Sequence, residues 1–149
     1  LGSNHVRIQL DGIRFTSKLI DGRFPEYERV IPKESSNELK ADRGAFQGAL
    51  QRTAILSNEK YRGIRLVIRD SGVILQAHNP EQEEAEEELE VEYSGEDIEI
   101  GFNVNYLLDA LGAIDGDEVT LSVQDSNSSC LIRRPGTDDC KFVVMPMRL

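Results

Sequence analysis

The 149-residue sequence lacks tryptophan and holds only two cysteines, two histidines and two methionines. Two cysteines do not make a disulfide framework, and we expect Cys130 and Cys140 to be reduced. A symmetric hairpin about Pro135-Gly136 would nevertheless place them opposite each other. No CxxC or HExxH pattern occurs, so metal ligands are scarce, and no apolar run approaches the roughly 18 residues that span a bilayer. The sequence predicts no metal, no cofactor and no membrane span.

Basic residues are scarce in one long region. There is no Lys or Arg between Asp70 and Ile132, and the net charge of the chain is −10. A protein that binds DNA tightly by neutralising phosphates is usually basic. The charge therefore disfavours a tight, sequence-specific DNA binder. It leaves open a protein that stays near DNA without adhering to it.

The first residues predict a β-hairpin. Apolar and polar residues alternate over 6–10 and 13–17, on either side of Asp11-Gly12, which is a typical hairpin turn. The chain does not begin with Met and starts close to a strand, so we expect a fragment of a longer protein. The polar run 33–37 is a candidate boundary between two units.

A strand-helix-strand-strand-strand pattern then occurs twice, with a period of roughly 55–60 residues. The first unit has a strand at 38–41, Asp42 as N-cap, a helix at 43–58 and strands at 64–69, 73–78 and 86–93. The second has a strand at 97–102, Asn103 as N-cap, a helix at 104–111 and strands at 119–123, 129–132 and 141–145. The pattern predicts an α+β fold with two helices on one side of antiparallel sheets, packed edge to edge or face to face. The predicted core positions of the helices are Phe46, Ala49, Leu50, Thr53, Ala54, Leu107, Leu108 and Leu111.

The most biased segment is the acidic run 81–92. Three interpretations stay open: a charged strand edge that resists aggregation, a dock for a basic partner, or a cation or catalytic site. The third is the weakest, because EF-hand spacing is absent and no His, Lys or Ser accompanies the carboxylates.

The C-terminal residues 142–149 also allow two interpretations. Residues 142–145 are typical of a last core strand, after which the chain frays. Alternatively, Met145 and Met147, the only methionines, suit a surface that accepts several partners, because methionine is flexible and polarisable.

Five blocks of the sequence resemble the bacterial DNA polymerase III beta sliding clamp family: FTSKLIDGRFPEY (15–27), LSNEKYRG (56–63), NPEQEEAEE (79–87), IGFN (100–103) and VVMPMRL (143–149). The resemblance runs over the whole chain. It implies that 1–27 are the last strands of the family's second domain with a connector, and that 28–149 are its third domain. It also implies a DNA clamp fold, a cytoplasmic bacterial protein and no catalytic activity.

The resemblance implies a processivity factor whose three-domain chains pair head to tail into a ring around duplex DNA. Its partners would be linear motifs of the polymerase III alpha subunit, the clamp loader, translesion polymerases and mismatch-repair proteins. The wall of the motif pocket carried over from the family is Pro25, Arg29, Val30, Tyr61, Asn103, Tyr106, Ser129, Val143, Val144, Met145, Pro146, Met147, Arg148 and Leu149. Tyr61 stands where Phe is common, and Asn127 is left out because an apolar residue can occur there.

The resemblance also implies half of a dimer interface, formed by Ile55, Leu56, Glu81, Glu83, Glu84, Glu86 and Glu87. The partner half lies in a first domain, so we expect this chain to be a monomer. Arg43 and Arg52 of the first helix are candidate DNA contacts, or ordinary surface residues. The alternative function is a free-standing acidic module that recruits basic proteins, and a carboxylate-dependent hydrolase ranks third.

Overall fold

The computed structural model describes residues 4–23, 26–32, 37–70 and 72–148. Two short 3-10 helices lie at Tyr27–Arg29 and Ala54–Leu56. The helices are α1 (Arg43–Thr53) and α2 (Val104–Ala113). The strands are β1 (His5–Leu10), β2 (Ile13–Lys18), β3 (Glu38–Asp42), β4 (Gly63–Arg69), β5 (Gly72–His78), β6 (Glu84–Glu90), β7 (Glu92–Ser94), β8 (Ile98–Asn103), β9 (Glu118–Val123), β10 (Cys130–Arg133) and β11 (Phe142–Val144).

The predicted hairpin is confirmed. β1 and β2 pair antiparallel, with Leu10 opposite Ile13 across the turn. Gly12 adopts φ +77°, a left-handed conformation that glycine adopts without a steric penalty. Ile8 lies opposite Phe15, and their side chains are 49% and 56% exposed. One face of the hairpin is therefore apolar and uncovered among the described residues.

The duplicated pattern is confirmed, and its two units interlock. A five-stranded sheet has the order β11-β10-β9-β3-β7, and a four-stranded sheet has the order β6-β5-β4-β8. The first strand of each unit joins the sheet of the other: β3 pairs with β9, and β8 pairs with β4, both antiparallel. Each sheet therefore contains strands of both units.

The acidic segment contains two strands where the sequence predicted one at 86–93. β6 pairs with β5 in the four-stranded sheet, whereas β7 pairs with β3 in the five-stranded sheet. Val91 lies between them and is buried. The chain therefore passes from one sheet to the other at this residue, which anchors both sheets to one core.

Both predicted helix caps are confirmed. Asp42 Oδ1 accepts a hydrogen bond from the amide of Ala45 (2.7 Å), and Asn103 Oδ1 accepts one from the amide of Asn105 (2.9 Å). The first helix ends at Thr53, five residues before the predicted end at 58. The side-chain hydroxyl of Ser57 donates to the Ala54 carbonyl (2.7 Å), and such side-chain bonds compete with helix continuation.

The core lies between the helices and the sheets. Phe46, Leu50, Leu107 and Leu111 are fully buried, and the other predicted core positions are buried except Leu108, which is partly exposed. No helix in the described part of the chain is long and apolar enough to cross a membrane.

The two cysteines are free, as predicted, but they do not lie opposite each other. Cys130 pairs in register with Val144, whereas Cys140 is exposed in the loop before β11. The β10–β11 connection is asymmetric about Gly136, which explains the difference. Burial raises the pKa of the Cys130 thiol to about 12.

Candidate functional site

Two grooves contain half of the predicted pocket-wall residues that the structure describes. The first, of about 870 Å³, follows residues 26–32 and is closed on the other side by Gln124, Ser128 and Ser129. The Ser129 hydroxyl donates a hydrogen bond to the Val30 carbonyl (3.0 Å). This bond joins residues 26–32 to the turn between β9 and β10. We call this cavity the Val30 groove.

A tight turn positions Ser129. Asp125 accepts hydrogen bonds from the amide of Asn127 (2.8 Å) and from the hydroxyl of Ser128 (2.9 Å). The hydrogen bond from the Asn127 amide is the main cause that holds the pKa of the Asp125 carboxyl below its usual value, and the hydrogen bond from the Ser128 hydroxyl is the second. Arg29, which also lines the Val30 groove, forms an ion pair with Glu26 at 2.5 Å. The Arg29 guanidinium therefore already has a partner within the protein.

The second cavity, the Tyr61 groove, has a volume of about 410 Å³. Three chain segments converge on it: the loop before β4, the turn after β5 and the residues after β11. It is lined by Asn58, Tyr61, Gly63, His78, Asn79, Pro80, Met147 and Arg148. The structure thus brings together Tyr61, Met147 and Arg148, as the sequence predicted, and adds five residues that the sequence did not.

Hydrogen bonds fix the loop that carries Tyr61. Asn58 Oδ1 accepts from the amides of Lys60 and Tyr61, both at 3.0 Å. Arg62 adopts a left-handed φ of 50°, and its guanidinium donates to the Ala54 carbonyl (3.1 Å). Asn103 Nδ2 donates to the Tyr61 carbonyl (3.2 Å). Tyr61 is 54% exposed on this fixed backbone.

A second turn carries Pro80 to the groove. Within it Asn79 Oδ1 accepts from the Glu83 amide (2.9 Å), and Asn79 Nδ2 donates to the Glu83 carboxylate (2.7 Å). Gln82 takes a left-handed φ of 65° and donates its amide to the Asn79 carbonyl (3.1 Å). The Asn-Pro pair, which favours turn initiation, is the sequence signal for this side of the groove.

The C-terminal segment crosses between the two sheets. β11 belongs to the five-stranded sheet, but the Met147 amide donates to the Gly101 carbonyl (2.9 Å) on β8 of the four-stranded sheet. This bond places Met147 against the Tyr61 groove independently of its side chain. Met145 is 61% exposed. Val144 is buried in the core cluster, so the Val144 side chain is not open to a ligand.

The other predicted wall residues in the described ranges, Asn103 among them, line neither groove. Tyr106 is 60% exposed on α2, and Val143 and Pro146 are half-buried. Pro25 and Leu149 lie outside the described residues.

The predicted dimer residues lie at one edge of the four-stranded sheet. β6 is the edge strand, and it leaves one hydrogen-bonding side unpaired among the described residues. Ile55 is 76% exposed beside it. Leu56 and Glu87 are half-buried, and the exposed carboxylates are Glu81, Glu83, Glu84 and Glu86.

The two candidate DNA contacts already have protein partners. Arg43 donates to the carbonyls of Gly116 (2.6 Å) and Leu111 (3.2 Å), near the C-terminal end of α2. The Arg52 Nε lies 3.1 Å from each oxygen of Glu87, and this bond raises the pKa of the Arg52 guanidinium. A phosphate would have to compete with these partners. No group of three His, Cys, Asp or Glu side chains within the described ranges is arranged to hold a metal ion.

Interlocked units of this kind, with two helices and antiparallel sheets, are found in DNA sliding clamps. The Pseudomonas aeruginosa sliding clamp bound to griselimycin matches with a TM-score of 0.87 and 54% identity over 100% of this chain and 40% of that chain. Another structure of the polymerase III subunit beta from the same organism gives 0.88 and 54%, over 100% and 41%.

The family model for the C-terminal domain of the DNA polymerase III beta subunit matches residues 28–148, and the chain belongs to this family. The beta sliding clamp of Pseudomonas putida is 56% identical over 149 residues, which are all of this chain and 41% of that protein. The chain thus spans about two fifths of the length of the curated relatives that it matches.

Proposed function

We propose that this chain is part of a bacterial sliding clamp, a non-catalytic processivity factor of the cytoplasm that encircles duplex DNA and tethers the replicative polymerase. Its specific task is to supply one wall of the site for linear motifs of the alpha subunit, the clamp loader, translesion polymerases and mismatch-repair proteins. The observation that carries the proposal is the Tyr61 groove, where three separate chain segments converge on Tyr61, Pro80 and Met147. Family membership supports the same assignment.

The proposed domain division assigns 1–27 to a second domain and 28–149 to a third. The family match at 28–148 supports the boundary. The hairpin supports it as well, because Leu10 and Ile13 are 63% and 62% exposed on the same face as Ile8 and Phe15. An apolar surface of this kind is expected to pack against residues of its own domain.

A ring holds DNA by enclosing it, so it needs little direct affinity. The net charge of −10 and the occupied guanidinium groups of Arg43 and Arg52 fit this mode of holding. In the proposed head-to-tail ring, the β6 edge and Ile55 meet the first domain of the second chain. Under the division above, residues 1–149 belong to the second and third domains, so a polypeptide of these residues alone is expected to be monomeric.

The groove binds a peptide by burying apolar side chains on a surface that is already fixed. Each buried Leu or Phe contributes roughly 1.5–3 kcal/mol, and ordering the peptide offsets much of that gain. The net expectation is a complex of micromolar class, about 8 kcal/mol. The hydrogen bonds of Asn58 and Asn103 to the Tyr61 loop already order this loop, so the protein loses less conformational entropy when a peptide binds.

A titration of a fluorescent peptide containing Leu and Phe tests the proposal. Anisotropy should report micromolar binding to the chain, and replacing both apolar residues by Ala should abolish it. A peptide of the same composition in scrambled order serves as the control for nonspecific adsorption. Equal binding of the parent and Ala peptides would refute a groove that acts through apolar burial.

The alternative function, an acidic module for basic partners, is favoured by one observation. Glu84, Glu86 and Glu88 are exposed along the free edge strand β6. This function predicts that a Lys-rich peptide without apolar residues binds, and that binding falls steeply with salt. The Leu- and Phe-dependent binding expected above would not occur.

A further inference from the structure

Asn37, the last residue of the polar run 33–37, is buried, with 7% of its surface exposed. An amide side chain at this depth needs partners for its oxygen and its nitrogen. Its Oδ1 accepts a hydrogen bond from the Glu96 amide (3.0 Å), and its Nδ2 donates one to the Gln124 carbonyl (3.1 Å). The backbone carbonyl of Asn37 also accepts from the Val123 amide (3.0 Å). One residue therefore joins the start of β3 to the end of β9 and to the turn between β7 and β8.

The turn between β7 and β8 leaves room for the Asn37 side chain. Gly95 adopts φ +142°, and a Cβ at this position would lie 2.3 Å from Asn37 Oδ1 and 2.8 Å from Asn37 Cα. These distances are well below van der Waals contact, so a side chain at position 95 would displace Asn37. The Tyr93 hydroxyl closes the same turn by donating to the Glu96 carbonyl. The turn thus holds Asn37 in place.

Gln124 begins the turn that leads to Ser129 and forms one wall of the Val30 groove. Most of this turn is exposed, so it has few packed side chains to fix its position. At its far end, the Ser129 hydroxyl donates to the Val30 carbonyl (3.0 Å). At its near end, the Gln124 carbonyl accepts from Asn37. Hydrogen bonds therefore hold this wall at both ends.

We infer that Asn37 is a positioning residue of the peptide site. Asn37 does not line the Val30 groove, and it acts through Gln124, whose carbonyl it holds, on the wall that ends at Ser129. The inference rests on the function proposed above, because it assigns a peptide to a groove lined by the predicted wall residues Val30 and Ser129. A wall that is fixed before binding loses less conformational entropy when the peptide binds, so its release weakens the complex.

Asn37→Asp is the matched substitution that tests the inference. It keeps the size of the side chain and an acceptor for the Glu96 amide, but it replaces the donor to the Gln124 carbonyl by an oxygen. Binding of the Leu- and Phe-containing peptide should weaken roughly threefold to tenfold, which is comparable with the effect of one lost hydrogen bond. Gly95→Ala, which displaces Asn37 from a different segment, should weaken binding in the same direction. Each variant is titrated well below its unfolding temperature, so that unfolding does not lower the affinity.

Arg43→Ala is the control for lost stability. It removes hydrogen bonds to two backbone carbonyls, and Arg43 lines neither groove. This variant should therefore bind the peptide like the parent. A comparable loss of affinity in Arg43→Ala would attribute the effect of Asn37 to the stability of the whole domain and overturn the inference.

Double-mutant cycles test the path from Asn37 to the groove. If Asn37 acts through the wall that Ser129 anchors, Asn37→Asp with Ser129→Ala should weaken binding by less than the product of the two single effects. Asn37→Asp with Met147→Ala changes two different grooves, and these effects should multiply. Coupling to Met147 as strong as the coupling to Ser129 would show a general loosening and contradict a positioned wall.

The outcomes separate the inference from the function on which it rests. Loss of binding when the Leu and Phe of the peptide become Ala, with parent-like affinity of Asn37→Asp and Gly95→Ala, keeps the function and overturns the inference. If the parent chain does not bind the peptide at all, both proposals fail.

Discussion

Asn103 joins α2 to the Tyr61 loop through a single side chain. Its Oδ1 accepts from the Asn105 amide at 2.9 Å and caps the helix, while its Nδ2 donates to the Tyr61 carbonyl at 3.2 Å. The amide of Val104 adds a bond to the Arg62 carbonyl (2.8 Å). The position of one groove wall therefore depends on the first turn of a helix that buries Val104, Leu107, Ala110 and Leu111 in the core.

Two substitutions separate these roles of Asn103. Asn103→Asp keeps an acceptor for the cap but loses the donor to Tyr61, so it should weaken peptide binding while leaving stability close to that of the parent. Asn103→Ala loses both bonds and should also lower the free energy of unfolding by about 1 kcal/mol, the usual contribution of an N-cap. Urea unfolding and peptide titration measure the two effects. Parent-like affinity of Asn103→Asp would contradict the positioning role.

The two arginines of α1 should differ in their contribution to stability. Arg43→Ala leaves the carbonyls of Leu111 and Gly116 without their charged donor and should cost about 1.5–3 kcal/mol. Arg52 is 63% exposed in its pair with Glu87, where solvent weakens the ion pair, so Arg52→Ala should destabilise the chain much less than Arg43→Ala. Urea unfolding of both variants gives the comparison. Equal costs would show that the bonds of Arg43 have no special structural role.

The cysteines should react one at a time. Cys140 is exposed, whereas the buried Cys130 thiol has its pKa raised to about 12 and is scarcely ionised near neutral pH. A thiol reagent should therefore modify one cysteine in the native chain and two in denaturant. Cys140→Ser should leave stability within about 0.5 kcal/mol, while Cys130→Ser buries a hydroxyl and should cost about 1–3 kcal/mol. A disulfide in freshly purified protein kept under mild reductant would contradict this assignment.

The chain should be monomeric in solution. Its candidate interface, at Ile55 and the β6 edge, carries several exposed carboxylates, and two such acidic edges repel each other. Light scattering at moderate concentration should give the mass of one chain, 16.7 kDa. A stable closed dimer that dissociates at high salt would contradict the proposal that the partner surface lies in another domain.

Local sequence signals predicted most of the fold. The turn at Gly12, the caps Asp42 and Asn103 and the buried faces of both helices are set by neighbours in sequence. The strand break at Val91 is different, because it depends on β7 pairing with β3, some fifty residues earlier in the chain. No local sequence pattern indicates that β7 pairs with β3.

Only part of the site was predicted, because the rest depends on contacts between residues that lie far apart in the sequence. The resemblance carried over Tyr61, Met147 and Arg148, which the structure brings together. The predicted wall did not include His78, at the end of β5, or Pro80, which the Asn79 turn carries to the groove. The sequence also gave no sign that the Arg43 guanidinium donates to the Leu111 carbonyl near the C-terminal end of α2, because only the packed fold brings these two groups together.

The most direct test of the peptide groove is Met147→Ala in the titration with the Leu- and Phe-containing peptide. The backbone bond from Met147 to Gly101 does not need the side chain, so the melting temperature should stay nearly unchanged. Affinity should fall about tenfold or more, because the apolar contact with the ligand is lost. Leu10→Ala, which truncates an exposed apolar side chain on the hairpin that lines neither groove, should bind like the parent. If Met147→Ala also binds the peptide as tightly as the parent, the Tyr61 groove is not the site.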